Sequence, residues 1–174
     1  LTTEGLQKAA DFIRFCDAFS IPVLSLVSAT GFDTTVANEK SVAREAARLI
    51  HTFADASAPK VTLLTGEAYG SAYLTMNSGH IGADLVYAWP TASVGMMPAE
   101  NAVKIIYNDE IDASDDAQGL IAEKAAAYAA LQTSPESAAG RGYVDAVIEP
   151  ESTRQHLIAA FEMLYSKRAV RPSK

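Results

Sequence analysis

The stretch Gly66–Tyr73, GEAYGSAY, follows the apolar run Lys60–Thr65, KVTLLT, without a break. Small residues, one serine and flanking aromatics stand where a strand would hand over to a helix, and two chemistries fit them. In the first, Ser71 is a nucleophile and needs a base within hydrogen-bond reach. In the second, the turn itself acts. The N–H groups in the first turn of a helix lack intrahelical partners, and their partial positive charge suits an enolate or thioester oxyanion. Gly70, Ser71 and Ala72 are small enough to let a ligand approach that backbone. The same small residues would equally serve close packing of helix on strand.

A base for Ser71 is not apparent. His51, His80 and His156 carry no motif that sets one of them beside it, and Tyr73 occupies the last position of what would be a G-x-S-x-G elbow. Lys60 and Lys104 are the other conceivable bases. A second loop, SATGF, offers an N–H from Gly31 or Phe32 towards the same space. Both loops follow the carboxyl ends of predicted strands, where ligands of open α/β sheets bind. A glycine turn with Phe32 plugging the core accounts for this loop as well. The spacings of zinc sites are missing, so no dedicated metal site is expected. DASDD (Asp112–Asp116) lacks the glycine and terminal glutamate of a calcium loop and reads as a cap for the helix after it. No phosphate-loop or dinucleotide fingerprint occurs.

The elements that must position these loops alternate. A helix is predicted from Thr3 to Phe19, with Leu6, Ala9, Ala10, Ile13 and Cys16 on one face and Phe12, Phe15 and Phe19 on a second apolar stripe. Val23–Val27 reads as a buried strand. A helix follows with Val42, Ala46, Leu49, Ile50 and Phe53 inward and Arg44, Glu45 and Arg48 outward. Val61–Thr65 is the next strand, GEAYG a turn, and Ser71–Ile81 a helix. Asp84–Ala88 and the short ASVGMM segment are strands, and Ala99–Tyr107 is helical. One more helix turns Leu120, Ile121, Ala125, Tyr128 and Leu131 inward, GYVDAVIEP holds a last strand, and Ser152–Ser166 closes the chain as a helix. Strands alternating with helices predict an α/β layered fold with a largely parallel sheet. The basic tail KRAVRPSK is expected to fray.

The 174 residues, about half of them apolar, fit one domain over 1–174. With 21 acidic against 14 basic residues, no face for nucleic acid is suggested. No apolar run approaches the roughly 20 residues that cross a bilayer, and the start has neither the basic nor the apolar part of a signal peptide. The single cysteine, Cys16, points to a reducing, cytoplasmic setting.

Several strings together resemble one family. KAADFIRFCDAFSIPVLSLV, the Gly31-Phe32 pair, AYGSAY, HIGADLVYAWPTA, NAVKIIY and GYVDAVIEPESTR occur in the family's order and span most of the chain. They resemble the C-terminal crotonase-like domain of the carboxyltransferase component of biotin-dependent acyl-CoA carboxylases. Propionyl-CoA carboxylase β chains and acyl-CoA decarboxylase α chains share the pattern. The resemblance implies a crotonase fold, a spiral of short ββα units with surrounding helices. It also implies a carboxyltransferase that moves a carboxyl group between carboxybiotin and an acyl-CoA such as propionyl-CoA. Backbone N–H groups of Ser71 and Ala72 would form the oxyanion hole, and biotin would lie against Gly31, Phe32, Tyr69 and Gly70. The implied partners are an N-terminal-type carboxyltransferase domain that holds the coenzyme A thioester, a biotin carrier protein and further copies in a homo- or hetero-oligomer. Departures from the pattern cluster near that site: this chain has Gly70-Ser71-Ala72 where the family has a Gly-Gly-Ala run, and Thr30 precedes Gly31-Phe32 in place of proline. A Clp-like serine hydrolase and a non-catalytic subunit of the same fold are the rival readings.

Overall fold

The computed structural model describes residues 1–169. Helix α1 (Thr3–Ala18) starts at Thr2, whose side chain accepts the Gly5 N–H, as expected of a threonine at an N-cap. Leu6, Ala10, Ile13 and Cys16 recur every three or four residues and are buried. The second stripe behaves otherwise: Phe12, Phe15 and Phe19 are 60, 56 and 67% exposed. They lie on the side of α1 turned away from the sheet, and no element among the described residues covers them.

Strand β1 (Val23–Ala29) alternates buried and exposed residues and is not buried throughout. It is one edge of a sheet in which β2 (Lys60–Tyr69), β3 (Leu85–Ala88) and β5 (Ala146–Val147) follow in that order, all pairs being parallel. One face of the edge is covered by α1 and α3 (Val42–Asp55), with Val23 packed among Leu6, Ala10, Leu49 and Phe53. Leu24 and Leu26 point to the other face, which is open at this edge. Between β1 and α3 runs a loop followed by a single helical turn, α2 (Val36–Glu39). Within α3, Glu45 turns inward, contrary to the periodicity, and is 4% exposed. It survives burial because Arg44 donates to it at 3.0 Å and Arg48 at 3.5 Å. Burial raises its pKa, but hydrogen bonds from Gln7, Arg44 and Arg48 outweigh that and hold it below the ordinary carboxylate value.

Strand β2 (Lys60–Tyr69) runs through the expected turn at Gly66. A Cβ on Gly66 would lie 2.7 Å from the Ser28 hydroxyl, so glycine here serves a close approach of strands. Val61–Leu64 pairs with β3 (Leu85–Ala88), and Glu67–Tyr69 pairs with β4 (Ser93–Gly95). One strand thus belongs to two successive layers, the arrangement a spiral of short units requires. Helix α4 (Gly70–Thr75) is shorter than the predicted Ser71–Ile81. Asn77 at φ +62 ends it, and a 3-10 turn covers Gly79–Ile81. Asn77 is held there by Thr62, which donates to its carbonyl at 2.6 Å and accepts from its side-chain amide at 2.9 Å.

Helices α5 (Ala99–Ile106), α6 (Asn108–Asp112) and α7 (Ala117–Tyr128) follow, with Asp116 accepting the Gly119 N–H as the cap that DASDD predicted. A π turn over Ala129–Thr133 extends α7 and shifts its phase, which leaves Leu131 67% exposed where the plain helical period put it inward. Helix α8 (Pro135–Gly140), strand β5 (Ala146–Val147) and helix α9 (Thr153–Leu164) complete the chain. Leu157 and Phe161 of α9 pack on Val61, Leu63 and Tyr87, so the sheet is covered on this face over β2 and β3. The predicted fraying of the tail fails at Lys167, which pairs with Asp84 at 2.8 Å. Residues from 170 onward lie outside the described part.

Candidate active site

Strand β2 is held on both sides by neighbours and ends abruptly. Gly70 has φ +56, a conformation open to glycine at little cost. A Cβ there would approach the Met96 carbonyl oxygen at 3.1 Å. The chain turns directly into α4, whose start no side chain caps. The Ser71 and Ala72 N–H groups therefore stand in a first turn without intrahelical partners.

What fixes their direction is the packing of the helix below them. Ala72 and Tyr73 are 2 and 4% exposed and lie in the cluster formed by Val27, Ala29, Leu64 and Ala68. The Thr75 hydroxyl donates to the Ser71 carbonyl at 2.7 Å. Ser71 itself points its side chain to the surface.

The β1 loop reaches the same end of the sheet. Ala29 is in register with Ala68, after a register shift between Val27 and Ala29, so the loop begins beside Tyr69 and Gly70. It is pinned from below: the main-chain nitrogen of Leu1 donates to the Gly31 carbonyl at 2.8 Å, and the Asp33 N–H to the Leu1 carbonyl at 2.8 Å. Nothing lies within 4 Å of where a Gly31 side chain would be, so the space over Gly31 is open. Phe32 packs against both main clusters and its ring is committed to that role. Tyr69 is 7% exposed.

The candidate bases lie elsewhere. His51 is on α3 and His156 is on α9, bonded to the Ser152 carbonyl at 3.0 Å. Lys60 is buried at the opposite end of β2, donating to the carbonyls of Phe53 and Ala56. Lys104 is on α5. Among the described residues no base hydrogen-bonds the Ser71 hydroxyl. The turn brings together Gly70, Ser71 and Ala72, with Gly31 and Phe32 on the adjoining loop.

Sequence reasoning missed a cleft of about 390 Å³ that opens from Gly70 between β4, the π turn and α8. Tyr73 and Tyr143 line it with His80, whose ring stands edge-on to Tyr73 at 6.5 Å and tilted against Tyr143 at 4.9 Å. Burial first, and the nearby Tyr143 second, push the Tyr73 phenol up to about 12. The aromatic residues of AYGSAY and GRGYV were the available signal, but only the topology brings them together.

A parallel sheet whose longest strand joins two successive layers and ends in uncapped first-turn amides defines a layered α/β protein of the spiral type. Comparison with known proteins narrows the class. Residues 1–174 match the family described as the carboxyl transferase domain, and the chain belongs to that family. The carboxyltransferase subunit of propionyl-CoA carboxylase from Haloferax mediterranei is 45% identical over 175 residues, covering 100% of this chain and 34% of the relative. The methylmalonyl-CoA decarboxylase α subunit of Propionigenium modestum is 43% identical with the same coverage. The crystal structure of transcarboxylase 12S, a hexamer with methylmalonyl-coenzyme A and methylmalonic acid bound, superimposes with a TM-score of 0.95 at 41% identity and covers 100% of this chain and 34% of that one. The chain thus spans about a third of the length of the relatives it matches. Among the described residues no helix is long and apolar enough to cross a membrane.

Proposed function

We propose that this chain is the part of a biotin-dependent acyl-CoA carboxyltransferase that receives biotin, and that its Ser71 and Ala72 amides are the oxyanion hole. The observation that carries the reading is the left-handed turn at Gly70, which leaves two first-turn N–H groups uncapped at the carboxyl end of β2. The residues suit a biotin ring: its ureido carbonyl is an acceptor for paired N–H donors, Gly70 allows no bulk on the turn, and the space over Gly31 is open. Biotin, carried on a separate protein, supplies the carboxyl group.

This chain's own part is electrostatic. Two amides fixed by the packing of Ala72 and Tyr73 draw negative charge onto a carbonyl oxygen, and a donor of this kind is worth roughly 100- to 1000-fold in rate. The hydroxyl of Ser71 takes no part. The same reading takes residues 1–174 as one domain and places the reaction in the cytoplasm, where Cys16 stays a thiol. An N-terminal-type partner domain holds the acyl-CoA, and the exposed phenylalanines of α1 are suited to burial in an oligomer.

The test is reconstitution with an acyl-CoA domain of a relative, a carboxylated biotin carrier and propionyl-CoA, following labelled carboxyl. Transfer that depends on this chain is expected. Assembly with no transfer in either direction would overturn the reading, and labelling of Ser71 by a fluorophosphonate would replace it with the hydrolase.

A further inference from the structure

The cleft beside Gly70 has an unusual lining for an acidic chain. The formal net charge is −7, yet among the described residues no aspartate or glutamate lines this cleft, which carries Arg141, His80, Gln132 and three tyrosines, Tyr73, Tyr128 and Tyr143. Leu74, Val94 and Met96 supply its apolar side. The guanidinium of Arg141 is held on the rim by the side chain of Gln132 and by the carbonyls of Leu131 at 3.4 Å and Gln132 at 3.5 Å. Those acceptors are neutral, and no carboxylate among the described residues pairs with it.

The second observation is the Tyr73 hydroxyl. It is buried, with Tyr73 only 4% exposed, and reaches no hydrogen-bond partner among the described residues. Leaving such a group unpaired costs a fold about 1 to 3 kcal/mol, and a satisfied core would replace it with phenylalanine. The other orphan, the Asn77 side-chain oxygen, is different: its amide and main chain are both bonded to Thr62, and Asn77 does not line the cleft. With its pKa pushed up to about 12, Tyr73 keeps its proton and offers a donor.

We propose that this cleft binds a small carboxylate, which accepts from the Tyr73 hydroxyl and lies in the field of Arg141. The exposed His80 ring, on the 3-10 turn Gly79–Ile81, stands edge-on to the Tyr73 ring at 6.5 Å and lines the same cleft. The inference deepens the proposed function and rests on it only for the origin of the anion. Free bicarbonate and the carboxyl of a carboxylated acyl group share the same planar pair of oxygens.

The purified full-length protein is titrated by calorimetry with bicarbonate, with methylmalonate and with neutral propionamide, in the wild type, Tyr73→Phe and Arg141→Gln. Saturable binding of at least one anion with a millimolar Kd is expected, with no heat from the amide. Tyr73→Phe weakens it about tenfold while its circular dichroism and melting remain those of a folded protein. Bicarbonate alone binding assigns the free ion, and methylmalonate binding assigns the acyl carboxyl. Absence of binding by both anions, or binding that a folded Tyr73→Phe leaves unchanged, overturns the inference. Carboxyl transfer is measured separately. Transfer without anion binding removes this inference and leaves the proposed function standing, whereas binding without transfer does the reverse.

Discussion

The two ends of β2 are built on opposite principles. At its start, Lys60 is 3% exposed, and its ammonium donates to two carbonyls at the end of α3. Its N–H donates to Asp84 at 2.7 Å, and Asp84 in turn pairs with Lys167. Burial first, then the neighbouring cation of Lys167, pull the Lys60 pKa below its ordinary value, while Asp84 acts against them. The charge is tolerated because each group has a partner. At the far end, the same strand delivers a helix with no side-chain cap and a phenol with no hydrogen-bond partner among the described residues. Buried polar groups are satisfied as a rule, so the contrast separates an end whose polar groups are paired from the end to which the proposed function assigns the chemistry. That the open end is the carboxyl end of parallel strands is what the geometry of such sheets requires.

The largest effect should come from closing the open end. Gly70→Val places a branched side chain at φ +56 against the Met96 carbonyl, and relief of that clash must move the turn. Carboxyl transfer is expected to fall by about 100- to 1000-fold, the loss of an oxyanion donor, in a protein whose circular dichroism is unchanged. Transfer that persists would break the contrast, because the turn would then carry no chemistry. The next effect belongs to the closed end. Lys60→Met leaves the Phe53 and Ala56 carbonyls without their donor but also removes a cation that burial disfavours. A net loss of about 1 to 3 kcal/mol in denaturant unfolding follows, with transfer per folded molecule unaltered. A catalytic defect without a stability loss would reverse the assignment of the two ends.

Much of this division was legible in the sequence. KVTLLT located the first part of β2, because an apolar run is a local signal, but the turn expected over GEAYG is strand as far as Tyr69, and the chain turns only at Gly70. The Gly31-Phe32 loop was placed at the same end by strand order alone. What stayed hidden was set by tertiary contact. Glu45 sits at an inward position that only Arg44 and Arg48 make tolerable. Leu131 was misplaced because one π turn shifts the helical phase. The phenylalanines of α1 formed a second apolar stripe in the sequence, and within the described residues they have no cover. The cleft between Tyr73 and Tyr143 depends on segments from opposite halves of the chain, which no local pattern reports.

A smaller effect sharpens the contrast through pH. Tyr73→Phe removes an unpaired buried hydroxyl and should raise stability at neutral pH by about 1 kcal/mol. The folded-state pKa is raised from 10.0 to about 12. The phenol's contribution is therefore fully present below pH 10 and is lost as pH rises through that window, by up to about 2 to 3 kcal/mol. The advantage of Tyr73→Phe should accordingly widen in unfolding experiments above pH 10. A constant difference across the window would mean that the hydroxyl is solvated or paired, and the open end would lose one of its two orphan features.

The smallest expected effect is the most discriminating between mechanisms. Ser71 is exposed, its hydroxyl meets no base, and its main chain supplies both the N–H at the turn and the carbonyl that Thr75 holds at 2.7 Å. Ser71→Ala keeps that main chain and removes only the hydroxyl. The change in carboxyl transfer should stay within about twofold, far below the roughly 100-fold loss of a true donor. A loss of that larger size, accompanied by fluorophosphonate labelling of the wild type but not of the variant, would mean that the reactive group at this end is a side chain after all. The uncapped amides would then be stabilising an acyl-enzyme at Ser71, and the open end of β2 would belong to a hydrolase.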